Sequence, residues 1–104
     1  MDFHPVGFDD NLQIGVMFLD CANYEAAINP LKAAIAADPR SADGYYYLAL
    51  AQQNSYEFAD AASAFGQALA IAPQRPDIKD AFAVFRHMLA GSGSTAAHNL
   101  NPNL

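Results

Sequence analysis

Apolar residues recur every three to four positions along most of the chain, which is the spacing of one face of an α-helix. The pattern predicts five helices and no strand. The first begins at Asp9 or Asp10, and the others cover about residues 24–37, 43–54, 58–71 and 76–89.

Residue types at the predicted helix ends agree with these bounds. Ser41 suits the N-cap of the third helix, and Pro76 suits the first position of the fifth. Gly91 predicts a helix stop, and the Gly/Ser/Asn-rich tail of residues 91–104 is expected to be disordered. Residues 1–8 form a short leader whose apolar side chains could fold back onto the first helix.

The chain repeats itself with a period of 34 residues. Residues 42–75, shifted back by that distance, fall on residues 8–41 with small residues at fixed places. The identical pairs are Asp9/Asp43, Ala27/Ala61, Ala34/Ala68, Ala36/Ala70 and Pro39/Pro73. Such a period means that one helical unit is used twice, and each unit needs a neighbour to cover its apolar face.

Composition narrows the class of partner. The chain has 104 residues, of which 53% are hydrophobic, and a net charge of −6, so we expect one acidic domain. An acidic surface disfavours nucleic acid and anionic membranes. A single cysteine and no signal-like or membrane-spanning segment predict a soluble, cytoplasmic protein.

The repeat resembles a tetratricopeptide repeat (TPR), a helix–turn–helix of 34 residues with large and small residues at fixed positions. The second copy matches at Tyr45, Leu48, Ala49, Phe58, Ala61, Phe65, Ala68 and Pro73, and the first at Ile14, Gly15, Phe18, Tyr24, Ala27, Leu31, Ala34 and Pro39. Two positions differ from the family pattern. Gln52 stands where the family usually has Tyr, and Asn11 stands where it usually has a large apolar residue.

The resemblance implies an all-α, right-handed solenoid of antiparallel helix pairs. Repeats would cover residues 8–41 and 42–75, with a capping helix at 76–90. It also implies a concave groove that binds a protein or peptide. The groove positions are Leu12, Val16, Leu19, Asp43, Tyr46, Leu50, Gln53 and Val84. They form an apolar strip edged by acids, unless Leu12, Val16 and Leu50 are covered by the last helix or the leader.

Some members of the family hold a terminal carboxylate with Lys, Asn and Arg side chains. The corresponding places here are Leu12, Val16, Tyr47, Asp77 and Ala81. None of them is cationic, so binding of acidic chaperone tails is not expected.

The last helix raises the question of self-association. Its far side is predicted to carry Val84, Phe85 and Met88 with little charge nearby, whereas a good terminal cap has a polar outer face. The prediction is a marginal monomer or a homodimer that covers this helix.

Candidates for chemistry are weak. His4, His87 and His98 lack metal-ligand spacing, and Cys21 sits beside Asp20, which does not activate a thiol. No catalytic residue, metal or cofactor is therefore expected. The sequence favours a non-enzymatic interaction module; a small secretion-type chaperone and a homo-oligomeric assembly subunit remain as alternatives.

Overall fold

The computed structural model describes the backbone of residues 8–98 and the side chains of residues 10–91. Over this range it contains five α-helices and no strand. They are α1 (Phe8–Asp20), α2 (Tyr24–Ala37), α3 (Ala42–Asn54), α4 (Phe58–Ile71) and α5 (Pro76–His98). The chain is an all-α solenoid in which α1 pairs with α2 and α3 with α4, as the sequence predicts.

The far end of α5 differs from the sequence prediction. The helix passes through Gly91 and continues to His98, beyond the expected end at residue 90. Glycine inside a helix costs only about 0.5–1 kcal/mol relative to alanine, and no proline interrupts residues 91–98. The predicted disorder of residues 99–104 and the predicted contacts of the leader lie outside the described residues.

The 34-residue period is also present in the backbone. Ala22 and Tyr56, which are 34 positions apart, both adopt positive φ angles, of 59° and 65°. In each repeat the next N–H bonds back into the preceding helix, Asn23 N to Phe18 O and Glu57 N to Gln52 O, both at 2.8 Å. The first helix of each repeat therefore ends in the same way, with one residue in the left-handed conformation.

Small residues let the helices of each pair approach closely. Ala27 and Ala61, at equivalent positions of α2 and α4, are fully buried. A Cβ on Gly15 would overlap the side chain of Leu31, which is itself fully buried. The small residues that recur every 34 positions in the sequence thus mark the places where helices contact each other closely in the fold.

Aromatic side chains attach α5 to α4. The rings of Phe82 and Phe85 lie 5.3 and 5.4 Å from that of Phe65, measured between centroids. Ile78, one turn before Phe82, is buried with Ala42 and Ala68. Positions i, i+4 and i+7 share one helix face, so this face of α5 is turned toward the preceding pair.

The prediction that Phe85 lies on an exposed far side is therefore wrong. Phe85 is fully buried, because it belongs to the stripe that contacts Phe65. Lys79, Ala83 and Arg86 are exposed instead. The exposed part of α5 is therefore mixed in character, because Val84 and Met88 are exposed together with these residues.

Candidate partner-binding groove

The predicted groove residues of α1 and α3 line a strip that is only partly covered. Leu12 and Leu19 of α1, and Tyr46 and Leu50 of α3, are half-buried and pack against the main core cluster. Val16, Asp43 and Gln53 are half-buried as well. These side chains are thus held in place by the core while part of their surface stays open.

The contribution of α5 to this surface is different. Val84, the repeat equivalent of Leu50, is 66% exposed, and Met88, one turn further along, is 37% exposed. Val84 is not among the side chains that pack onto the main core cluster. α5 therefore carries two exposed apolar side chains that are not part of the half-buried strip.

An arginine joins two successive repeats at one end of the surface. The guanidinium of Arg75 donates to Asp43 Oδ1 at 2.9 Å and to the two oxygens of Asp77 at 2.8 and 3.0 Å. The hydrogen bonds from Arg75 lower the pKa of the Asp77 carboxyl. Two carboxylates share one cation here, so the cluster keeps a net negative charge.

Tyr46 lies beside this cluster. Burial raises the pKa of its phenol, and the charge of Asp77 raises it further, while Arg75 acts in the opposite direction. The ring of Tyr47 lies 5.4 Å away between centroids. The phenol therefore stays protonated at neutral pH and can donate a hydrogen bond.

Sequence reasoning missed Arg75 and assigned Asp43 only to the groove edge. The available signal was that Asp43 and Asp77 are 34 residues apart, which places both at the second position of their helices. An arginine immediately before the later helix can then reach both carboxylates.

A second apolar surface lies on α1. Ile14 is 42% exposed and Met17 is 60% exposed, although their equivalents in α3, Leu48 and Ala51, are 7% and 0% exposed. In α3 these positions belong to the buried core cluster. The described residues contain no helix before α1.

Side chains that could bind a metal do not cluster in the described part of the chain. Its His, Cys, Asp and Glu side chains form no group of three that could hold a metal ion. Cys21 is an exposed cysteine outside any disulfide, and His87 is exposed. Within residues 8–98, none of the helices combines the length and the apolar character needed to cross a membrane.

Comparison with known proteins agrees with this architecture. Residues 15–55 match the family model described as a TPR repeat. The fold is that of a tetratricopeptide-repeat protein. No curated protein matched the chain.

Several solved structures that resemble the chain carry the name MamA. They include MamA from Desulfovibrio magneticus RS-1 and a double mutant of MamA RS-1, each with a TM-score of 0.77 and 23% identity over 88% of this chain. A point mutant of MamA has a TM-score of 0.74 and 21% identity over 83% of this chain.

These identities establish likeness of fold alone. The chain spans 51% of the length of the first two structures and 63% of the third. What those proteins bind or assemble with does not transfer to this chain by similarity.

Proposed function

We propose that this chain is a non-enzymatic protein–protein interaction module that binds a peptide or protein segment along α1, α3 and α5. The observation that supports the proposal is the strip of Leu12, Leu19, Tyr46 and Leu50. Its side chains pack on the core on one side and stay open on the other. Rigid, partly open apolar side chains lose little conformational entropy when a ligand covers them.

The expected affinity is modest. Full burial of an exposed apolar side chain contributes roughly 1.5–3 kcal/mol, and the strip residues are already half-buried, so each contributes less. Val84, at 66% exposure, has more surface to lose. Ordering the bound segment offsets part of this gain, which leads to an affinity of roughly micromolar strength.

The ion cluster of Asp43, Asp77 and Arg75 lies at one end of the groove. It favours one direction of a bound segment over the other. Asp43 and Asp77 together carry one more negative charge than Arg75 neutralises. A segment that places Lys or Arg next to this cluster and apolar residues along the strip would therefore match both parts of the surface.

A peptide selection tests the proposal. Peptides selected from a random display library against the wild type should lose about tenfold or more in affinity toward Leu50→Glu, because a carboxylate would enter the apolar strip. Ile71→Glu is the matched control, since Ile71 is 38% exposed on α4, outside the strip.

Titration calorimetry would measure both affinities, and circular dichroism would verify that each variant is folded. Equal binding by the wild type and folded Leu50→Glu would refute the groove.

The main alternative is a homo-oligomeric assembly subunit. Four exposed apolar side chains favour it, namely Ile14, Met17, Val84 and Met88. Light scattering of the wild type before peptide selection distinguishes the two functions. A stable oligomer that dissociates in Val84→Glu would support assembly, and a monomer at high concentration would exclude it. A secretion-type chaperone would use the same groove to shield an apolar segment in the cytoplasm.

A further inference from the structure

The helices α3 and α5 each turn one side toward the second helix of the preceding pair. On α5, the rings of Phe82 and Phe85 lie against that of Phe65 on α4. On α3, a Cβ at Gly44 would lie 3.1 Å from Cγ1 of Ile35 on α2. Positions i, i+4 and i+7 share one helix face, so the same face makes this contact in both repeats.

On α1 the same face is open. Ile14 and Met17 are the repeat equivalents of the two phenylalanines on α5, and they are 42% and 60% exposed. Asp10, one turn before Ile14, and Cys21, one turn after Met17, are also exposed. These four residues are called the α1 stripe below. Its register is the one that packs on a second helix elsewhere in the chain.

A different face of α1 and α3 packs on the second helix of the same pair. A Cβ on Gly15 of α1 would overlap the side chain of Leu31 on α2, and Ala49, the equivalent residue of α3, is fully buried. The equivalent residue of α5 is Ala83, which is exposed. No helix follows α5 within residues 8–98, so this face of α5 is open as well.

The open face of α5 carries positive charge. At the same spacing as the α1 stripe it presents Lys79, Ala83, Arg86 and Ala90, all of them exposed, and these are called the α5 side below. Lys79 and Arg86 are two of the five basic residues of the chain. The guanidinium of Arg86 lies 5.6 Å from the centroid of the Phe82 ring, which holds it on this side of the helix.

The α1 stripe carries the opposite charge. α1 contains three aspartates and no basic residue, and Asp10 and Asp20 are exposed near its two ends. Two α1 stripes placed together would bring the acids of both copies into one contact, which is unfavourable. The α5 side instead offers Lys79 and Arg86 to these acids. The acids lie about 15 Å apart along α1 and the bases about 10 Å apart along α5, a difference that long basic side chains can span.

We propose that the α1 stripe of one copy packs on the α5 side of a second copy, head to tail. The contact covers Ile14 and Met17, and it supplies the helix that the α5 side lacks. A heterologous contact of this kind leaves one stripe and one α5 side free at the ends, so it continues into an open chain of copies. The proposal does not depend on the groove, because Val84 and Met88 lie outside the α5 side.

Sedimentation velocity of the full chain at increasing concentration tests the contact. The average mass should rise beyond that of a dimer, because each added copy leaves a free surface at both ends. Added salt should weaken the association, because the acids and bases that meet are at the surface.

Two variants separate the two surfaces. Ile14→Asn with Met17→Asn removes the apolar part of the stripe, and Lys79→Glu with Arg86→Glu reverses the charge of the α5 side. Each double variant alone should associate about tenfold more weakly or less, because every copy lacks one of the two surfaces. An equal mixture should form a one-to-one heterodimer and nothing larger, because the intact stripe of one variant fits the intact α5 side of the other.

Val84→Glu is the matched control, since Val84 is an exposed apolar residue of α5 outside the α5 side. It should associate like the wild type, and circular dichroism would verify that every variant is folded. Groove peptides should bind both double variants as they bind the wild type, so this contact and the proposed groove can fail independently.

Four results would overturn the contact. A wild type that is monomeric at every concentration would leave a segment of the same chain, such as residues 1–7, to cover the stripe. Self-association of the α5-side variant alone would indicate that two α1 helices pair. Dissociation in Val84→Glu would move the interface to the groove, and a mixture that stays monomeric would exclude the head-to-tail arrangement.

Discussion

The α2–α3 and α4–α5 contacts occupy the same place in successive repeats but are built from side chains of different size. At the first contact, Gly44 and Ala51 are buried and α3 lies close to α2. The equivalent residues at the second contact are Ile78 and Phe85, both fully buried, and the backbones of α4 and α5 lie further apart.

Side-chain volume differs between the two contacts, and the helix separation differs with it. A Cβ on Gly44 would lie 3.1 Å from Cγ1 of Ile35, so the first contact has little room to spare. The second contact is filled instead by a cluster of Phe58, Phe65, Phe82 and Phe85. Small and large residues thus satisfy the same dense packing at different helix separations.

The largest expected effect is the loss of the aromatic contact. Phe85→Ala should reduce the free energy of unfolding by about 3–5 kcal/mol, because it removes a fully buried ring and leaves a cavity. Urea unfolding followed by circular dichroism would measure it. α5 should be the first helix to melt, since α4 is its main neighbour.

Val84→Ala is the control on the same helix, because Val84 is 66% exposed and should change stability by less than about 0.5 kcal/mol. If both variants were equally stable, the view that α5 is anchored by its aromatic stripe would be wrong.

A smaller loss of stability is expected when the α2–α3 contact is made to resemble the α4–α5 contact. Gly44→Ile copies the residue of the equivalent position, Ile78, into a site where Ile35 is already close. Overpacking should lower the free energy of unfolding by roughly 1–3 kcal/mol, measured by the same urea titration.

Gly66→Ile provides the matched control for the intrinsic effect of the substitution. A Cβ on Gly66 has no neighbour within 4 Å, so this variant should be neutral or slightly more stable through helix propensity. Similar losses at both glycines would show that the close approach of α3 to α2 is not the cause.

The smallest effect concerns the ion cluster that spans the start of α3 and α5. Arg75→Ala should destabilise the chain less than either change above, because all three partners are partly solvent-exposed. The hydrogen bonds from Arg75 lower the pKa of Asp77 in the folded state. This stabilisation is present above the ordinary aspartate pKa of about 4 and disappears as the pH falls through the lowered value.

Thermal unfolding at several pH values would measure this contribution, with Arg40→Ala as a control that removes the same charge from an exposed site. The difference between the wild type and Arg75→Ala should shrink at low pH and at high salt. A difference that stayed constant across pH would mean that Arg75 acts through its hydrocarbon stem.

The helices and the period could be predicted because both depend on local patterns. The helical spacing of apolar residues, the cap by Ser41 and the 34-residue match are visible in the sequence, and the Oγ of Ser41 accepts a hydrogen bond from Gly44 N at 3.0 Å. The groove could be predicted only as a set of positions. The exposed fraction of Leu50 or Val84 depends on the helix that packs next to it. The position of a residue within its repeat does not specify that neighbour.

The sequence by itself determined the all-α class, the helix-pair repeat and the close approach at Gly15 and Ala61, because these follow from residue size and spacing along one chain. Only the tertiary structure decided three other features: the inward face of Phe85, the sharing of Arg75 between two carboxylates, and the exposure of Ile14 and Met17 on α1. Each depends on atoms far apart in sequence, and their distances are set when the repeats stack.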